Sequence, residues 1–168
     1  MKKISTRSLV QASLIAAAYT VVSIALAPIS FGAVQVRVSE ALTLLPAWSP
    51  VAVAGVTVGC LLTNAWGVAA GANILGAADI LLGTLATLIA ALLTRALRKH
   101  PALAALPPVI LNAVIIGGEL AFAETGGFPP ALWLLNGAQV GAGELIACFL
   151  LGLPLLRFVQ KRFPEGKA

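Results

Sequence analysis

Charge is scarce in this sequence: Lys, Arg, Asp and Glu make up 10% of its 168 residues, against 60% hydrophobic residues and a mean hydropathy of +0.99. A soluble core of this size cannot hide so much apolar surface, which excludes a water-soluble domain and places the chain in lipid. The motifs of phosphate and metal chemistry are also missing, with neither a GxxxxGK[ST] loop nor an HExxH pair. The two cysteines, Cys60 and Cys148, sit in apolar runs with no His or Cys nearby to complete a metal set. They read as packing residues, and neither a metal nor a cofactor is expected.

What remains is a series of apolar runs, each roughly 12–20 residues, close to what an α-helix needs to cross about 30 Å of hydrocarbon at about 1.5 Å per residue. The reading is one all-α integral membrane domain over residues 1–168, with about six transmembrane helices, the second of them short. The first is expected over Ser8–Ala27 and the short second over Val38–Trp48, with a loop from Pro28 to Val36 between them. The third covers Val51–Asn64, where Gly55 and Gly59 have the spacing that lets helices approach closely. The Gly-rich stretch from Asn64 to Asp79 suits irregular backbone sheltered by protein. Helices over Asp79–Leu97, Pro107–Ala123 and from Asn136 or Gln139 to Phe158 complete the set, the last bent at Pro154.

Ten of the eleven Lys and Arg residues lie in three clusters: Lys2, Lys3 and Arg7; Arg95, Arg98 and Lys99; and Arg157, Lys161, Arg162 and Lys167. Positive residues stay on the cytoplasmic side, so this charge is topological rather than a nucleic-acid footprint, and both termini are assigned to the cytoplasm. The run from Val10 to Ala27 is longer than a signal-peptide core and meets Pro28, so it is expected to remain as a span of a multi-pass cell-membrane protein.

Between Ser8 and Leu156, outside the basic clusters, stand five acids (Glu40, Asp79, Glu119, Glu124 and Glu144) and the single base Arg37. Ionisable groups are costly in lipid and tend to face a partner, a cavity or a ligand, and the excess of acid favours a cationic or donor-rich one. Glu124, in an expected outer loop, is equally well read as solvated. Asn112 and Glu119, seven residues apart, project from nearly one helix face, either into one cavity or toward a neighbouring helix. Arg37 and Glu40, three apart, are placed to pair on one helical turn. Ala12 and Ala16, beside Ser13 and Ala17 at the same interval, form a small-residue stripe suited to docking or to ordinary packing.

Three segments then carry a resemblance. FGAVQVRVSEALTLLP (Phe31–Pro46), GANILGAADILLGTLATL (Gly71–Leu88) and GELIACFLLGLP of the last helix occur in the order found in the queuosine-precursor transporter family, QueT, RVSEALTLLP being the most specific. The resemblance implies an S-component-like bundle, the substrate-binding subunit of an energy-coupling-factor (ECF) importer of the ABC type. Its implied partners are a T-component scaffold and two cytoplasmic ATPases, with toppling in the membrane as the release step and no nucleic acid involved. It implies a 7-deazaguanine substrate such as preQ1, preQ0 or queuine. Ala12 and Ala16 match the alanines that contact the scaffold in other S-components.

A carboxylate accepts two parallel hydrogen bonds from the donor edge of a guanine-like ring, an amide serves its carbonyl side, and a second acid suits a cationic aminomethyl group. The candidates are Gln35, Arg37, Ser39, Glu40, Asn73, Asp79, Asn112, Glu119, Gln139 and Glu144. Trp66 and Trp133 are available to stack on the ring or the cation, or serve as interfacial anchors. The alternatives are an S-component for another vitamin-like compound and a stand-alone small-molecule transporter, though no inverted repeat is evident. A membrane enzyme is disfavoured, because no compact catalytic constellation accompanies the acids.

Overall fold

The computed structural model describes residues 5–30 and 37–163, and every regular element among them is helical. In order these are α1 (Thr6–Ala25), α2 (Ala27–Ser30), a 3₁₀ helix (Val38–Ala47), α3 (Val51–Ala69), α4 (Ala77–Ala96), α5 (Pro101–Ala104), α6 (Leu106–Thr125), α7 (Pro130–Leu145), a π-helical segment (Ile146–Gly152) and α8 (Leu153–Arg162). Among the described residues, five stretches are long and apolar enough to cross a membrane: α1, α3, α4, α5 with α6, and α7 through α8. They run as an arc in which α1 lies on α3, α3 on α4, α4 on α6 and α6 on α7. The 3₁₀ helix sits within the arc, against α1, α3, α4 and the π segment.

α1 begins at the Ser5 cap, whose hydroxyl accepts the Ser8 amide at 3.1 Å. Among the long helices it packs chiefly on α3, where Gly55 and Gly59 expose bare backbone to it. A Cβ added at Gly55 would lie 2.8 Å from Ile15 Cβ, and one at Gly59 would lie 2.7 Å from Tyr19 Cβ. The glycine pair expected to permit close approach therefore does so against α1.

Several expected boundaries move. The third span continues past Asn64 to Ala69, because Asn64 and Gly67 are buried against protein and small residues cost a packed helix little. Irregular backbone is confined to the turn from 70 to 76. The last span starts at Pro130 rather than near Asn136, since proline is well placed in a first helical turn. Part of the expected loop after Pro28 is the single turn α2. The bend expected at Pro154 takes the form of the π segment just before it: the ring obstructs the carbonyl four residues back, and the wider π turn absorbs the misfit.

The short second element is the least ordinary. Runs of 3₁₀ helix beyond about 3–4 residues are uncommon, yet this one has ten. A tight cylinder suits its crowded position, where the Ala41 carbonyl approaches to 3.1 Å of where a Cβ on Gly152 would sit. At about 2.0 Å per residue it also reaches further than an α-helix. Its first end meets Asp79 in the first turn of α4, and at its last end Arg95, in the final turn of α4, donates to the Pro46 carbonyl at 3.3 Å. At about 20 Å it is shorter than α4, about 30 Å long, and the Arg37 and Arg95 side chains span the rest to tie its two ends to opposite ends of that helix. Trp48 then donates to the Phe163 carbonyl at 2.7 Å, and Arg7 shares a cleft with both rings. Arg7, Arg95 and the end of α8 with Lys161 and Arg162 therefore collect at one end of the bundle, the cytoplasmic one by their charge.

Candidate functional site

Toward the opposite end, the turn from 70 to 76 sets up a buried polar cluster. Gly76 closes the turn at φ 68°, which a residue with a Cβ rarely adopts. Asn73 Oδ1 accepts the Leu75 amide at 3.0 Å, leaving its Nδ2 to donate to Asp79 Oδ2 at 2.7 Å. Asp79, with no exposed surface, also accepts Arg37 Nη2 at 3.0 Å, and its backbone carbonyl accepts Asn64 Nδ2 at 2.8 Å. Arg37, 5% exposed, donates through Nε to the Ser30 carbonyl at 3.3 Å. The ion pair is thus Arg37–Asp79, not the expected Arg37–Glu40. The 3₁₀ path carries Glu40 towards α1 instead, where its Oε1 accepts the Tyr19 hydroxyl.

Around Glu40 the Ser23 and Ser39 hydroxyls lie 2.6 Å apart, and Thr43 Oγ1 donates to the Glu40 carbonyl at 2.5 Å. Cys148 Sγ, on the π segment, lies 3.8 Å from both the Glu40 carbonyl and Glu144 Oε2. Glu144 Oε1 in turn accepts Asn112 Nδ2 at 3.0 Å, joining α7 to α6. Of the two readings of Asn112, the interhelical bond is the one that forms.

The structure therefore brings Arg37, Ser39, Glu40, Asn73 and Asp79 together, with Asn112 and Glu144 reached through Cys148. Gln139 is half-buried on α7 and joins no part of this cluster. Gln35 lies outside the described residues. Glu124 accepts Asn136 Nδ2 at 3.0 Å near the outer end of α6. Ala16 is buried and Ala12 half-buried on the α1 face that meets α3, so the small pair on the open face of α1 is Ser13 and Ala17. Tyr19, Ser23 and Asn64 are cluster members the sequence reading missed. Their signal was polar groups within apolar spans, with Tyr19 and Ser23 one turn apart on a single face.

Glu119 does not share a cavity with Asn112. It enters a cleft of about 540 Å³ between α4 and α6, walled by Leu75, Ala78, Phe122, Phe128 and Trp133. Trp133 is fixed across α6 by its Nε1 donating to the Val114 carbonyl at 2.8 Å, over Gly118, where a Cβ would come within 3.1 Å of the indole. Phe128 stands between Phe122 and Trp133, at centroid distances of 5.3 and 5.6 Å. Trp66, on α3, lies outside this cleft.

Five buried oxygens in these two places have no partner among the described residues: Glu40 Oε2, Asp79 Oδ1, Asn64 Oδ1 and both carboxylate oxygens of Glu119. All five only accept hydrogen bonds when the acids are ionised. Buried polar groups are ordinarily satisfied, so these acceptors mark the places in the two sites where a donor is missing.

No curated protein and no solved structure matches the chain. The family model described as QueT transporter matches residues 9–161. With five long apolar spans and a match over nearly its whole length, the chain belongs to the QueT transporter family and is a multi-pass membrane transporter, not an enzyme.

Proposed function

We propose that this chain is the substrate-binding S-component of an ECF importer, and that it captures a 7-deazaguanine precursor of queuosine. The observation that carries the substrate class is the set of unanswered acceptors. A guanine-like edge presents N1–H and an exocyclic amine side by side, and the unanswered Glu40 Oε2 is available to one of them while Asn64 Oδ1 and Asp79 Oδ1 offer further acceptors. Arg37 and Asp79 neutralise one another, so their pair orders the site without repelling a neutral ring. The resemblance of the motifs around Arg37–Pro46 to the family's supports the same assignment.

Calorimetric titration of the detergent-purified chain with preQ1, preQ0, queuine and guanine, using riboflavin, thiamine and biotin as controls, tests this directly. Tight binding of a deazapurine with silence from the controls is expected; folded protein that binds none of the deazapurines removes the assignment. Glu40→Gln should weaken deazapurine binding about 10-fold or more, since a bond to a charged acceptor contributes about 1.5–3 kcal/mol. Unchanged affinity takes Glu40 out of the site.

In this reading the chain has no ATPase of its own and docks on a T-component carrying two ATPases. The open face of α1 suits such docking, with Ser13 and Ala17 giving a smooth surface between the exposed Leu14 and Val21. Ala17→Trp should leave substrate binding unchanged and reduce co-purification with a T-component several-fold. Normal assembly of that variant would move the docking face elsewhere on the bundle.

A further inference from the structure

At the cytoplasmic end a cleft of about 290 Å³ opens between α1 and the place where Trp48 meets Phe163. One wall is a stripe of α1, Arg7, Val10, Gln11 and Leu14, spaced as a single helix face, with the buried Ile15 behind it. Trp48 and Phe163 form the other wall, their ring centroids 6.4 Å apart. The walls are open to an occupant: Arg7 and Phe163 are exposed, and so are Val10 at 52% and Leu14 at 66%.

The cleft is graded from charged to apolar. Arg7 is its one charged lining residue among the described residues and stands in the first turn of α1. Leu14 and Ile15 lie about 10–12 Å further along the helix, at about 1.5 Å per residue. That depth is most of one leaflet's share, about 15 Å, of the hydrocarbon core. Trp48 spends its N–H on the Phe163 carbonyl, so its indole presents only apolar ring here.

The surroundings select the sign of the polar end. Lys161 and Arg162 precede Phe163 in the last turn of α8, and Arg95 is held on the Pro46 and Ala47 carbonyls next to Trp48. None of the five acids among the described residues is near. Asp79, Glu40 and Glu144 belong to the polar cluster, and Glu119 and Glu124 lie on the outer half of α6. An occupant with a negative head at the membrane surface and an apolar remainder answers both the gradient and the charge, and arginine meets a phosphate with paired N–H donors.

We propose that this cleft binds an anionic phospholipid of the cytoplasmic leaflet, its phosphate against Arg7 and one acyl chain laid between Val10, Leu14 and Ile15 and the ring of Trp48. The site is separate from the polar cluster and independent of the substrate class proposed above.

Native mass spectrometry tests it on the full chain, released from detergent after incubation with equal amounts of dioleoyl phosphatidylglycerol and dioleoyl phosphatidylcholine. The chain should retain one phosphatidylglycerol at least five times as often as one phosphatidylcholine. Arg7→Gln should bring the two lipids within twofold, whereas Arg7→Lys should keep at least half of the preference. Arg98→Gln, at the same end but outside the cleft, should keep all of it. Dihexanoyl phosphatidylglycerol, with the same head and short chains, should displace the dioleoyl lipid only in 10-fold or greater excess, and inorganic phosphate at that excess should displace none. Equal retention of the two lipids overturns the proposal, as does an equal loss in Arg7→Gln and Arg98→Gln, which would mark diffuse surface charge. Displacement by inorganic phosphate would reduce the site to an anion site without a chain groove. Chain dimers in place of lipid adducts would make a second copy the occupant and refute the lipid.

Discussion

Replacing Arg37 by methionine is expected to cost about 3–5 kcal/mol of unfolding free energy, the typical result of removing one partner of a buried ion pair. Methionine keeps much of the length and apolar bulk of the arginine stem, so the loss is electrostatic rather than a cavity. What it strands is Asp79, a carboxylate with no exposed surface whose Oδ2 then keeps only the Asn73 amide and whose Oδ1 already lacks a partner. Adding Asp79→Asn to the same chain should recover more than half of the loss, because the uncompensated charge is gone. Chemical unfolding in detergent micelles, followed by helical circular dichroism, measures both. If Arg37→Met leaves stability untouched, or the double variant is weaker than the single one, the pair is not what holds the 3₁₀ helix to α4.

The second large effect is expected at Gly117. There α6 crosses α7 at Gly137 so closely that a Cβ on Gly117 would lie 2.6 Å from Gly137 Cα and 2.7 Å from its amide nitrogen. Because the obstacle is backbone, no rotamer change relieves it, and the helices must separate. Overpacking in cores typically costs about 1–3 kcal/mol, and a leucine here should reach or exceed the top of that range. Gly127, where a Cβ would meet nothing within 4 Å, serves as the control and should tolerate alanine with little change. Equal thermal stability of Gly117→Leu and the parent chain in detergent would mean that α6 and α7 do not cross as described.

What is legible in the sequence follows from what lipid enforces locally. Apolar runs locate the five long spans and the basic clusters orient them, because each signal is contained in a short window. Which way a helix faces is harder to read. On a span that is apolar all round, periodicity does not separate the side toward protein from the side toward lipid. Ala12 and Ala16 are therefore as suitable for docking as Ser13 and Ala17 until α3 is seen to cover the first pair. The partner of Arg37 is illegible for a related reason. Glu40 is three residues away and Asp79 forty-two, and the choice depends on a 3₁₀ twist and on a turn that brings Asp79 and Asn73 round to the guanidinium. The intramembrane acids stand out by their cost in lipid, but only their surroundings separate Glu119 from Asn112 and join Tyr19 to Glu40.

The ten-residue 3₁₀ helix behaves as a strut of fixed length. Rewound as an α-helix, the same residues would shorten by about 0.5 Å each, or roughly 5 Å in all. That is too much to keep both Arg37 on Asp79 and Trp48 on the Phe163 carbonyl. The outer ion pair and the inner indole anchor are therefore mechanically linked: neither end of the strut can shorten towards the other without one mooring letting go.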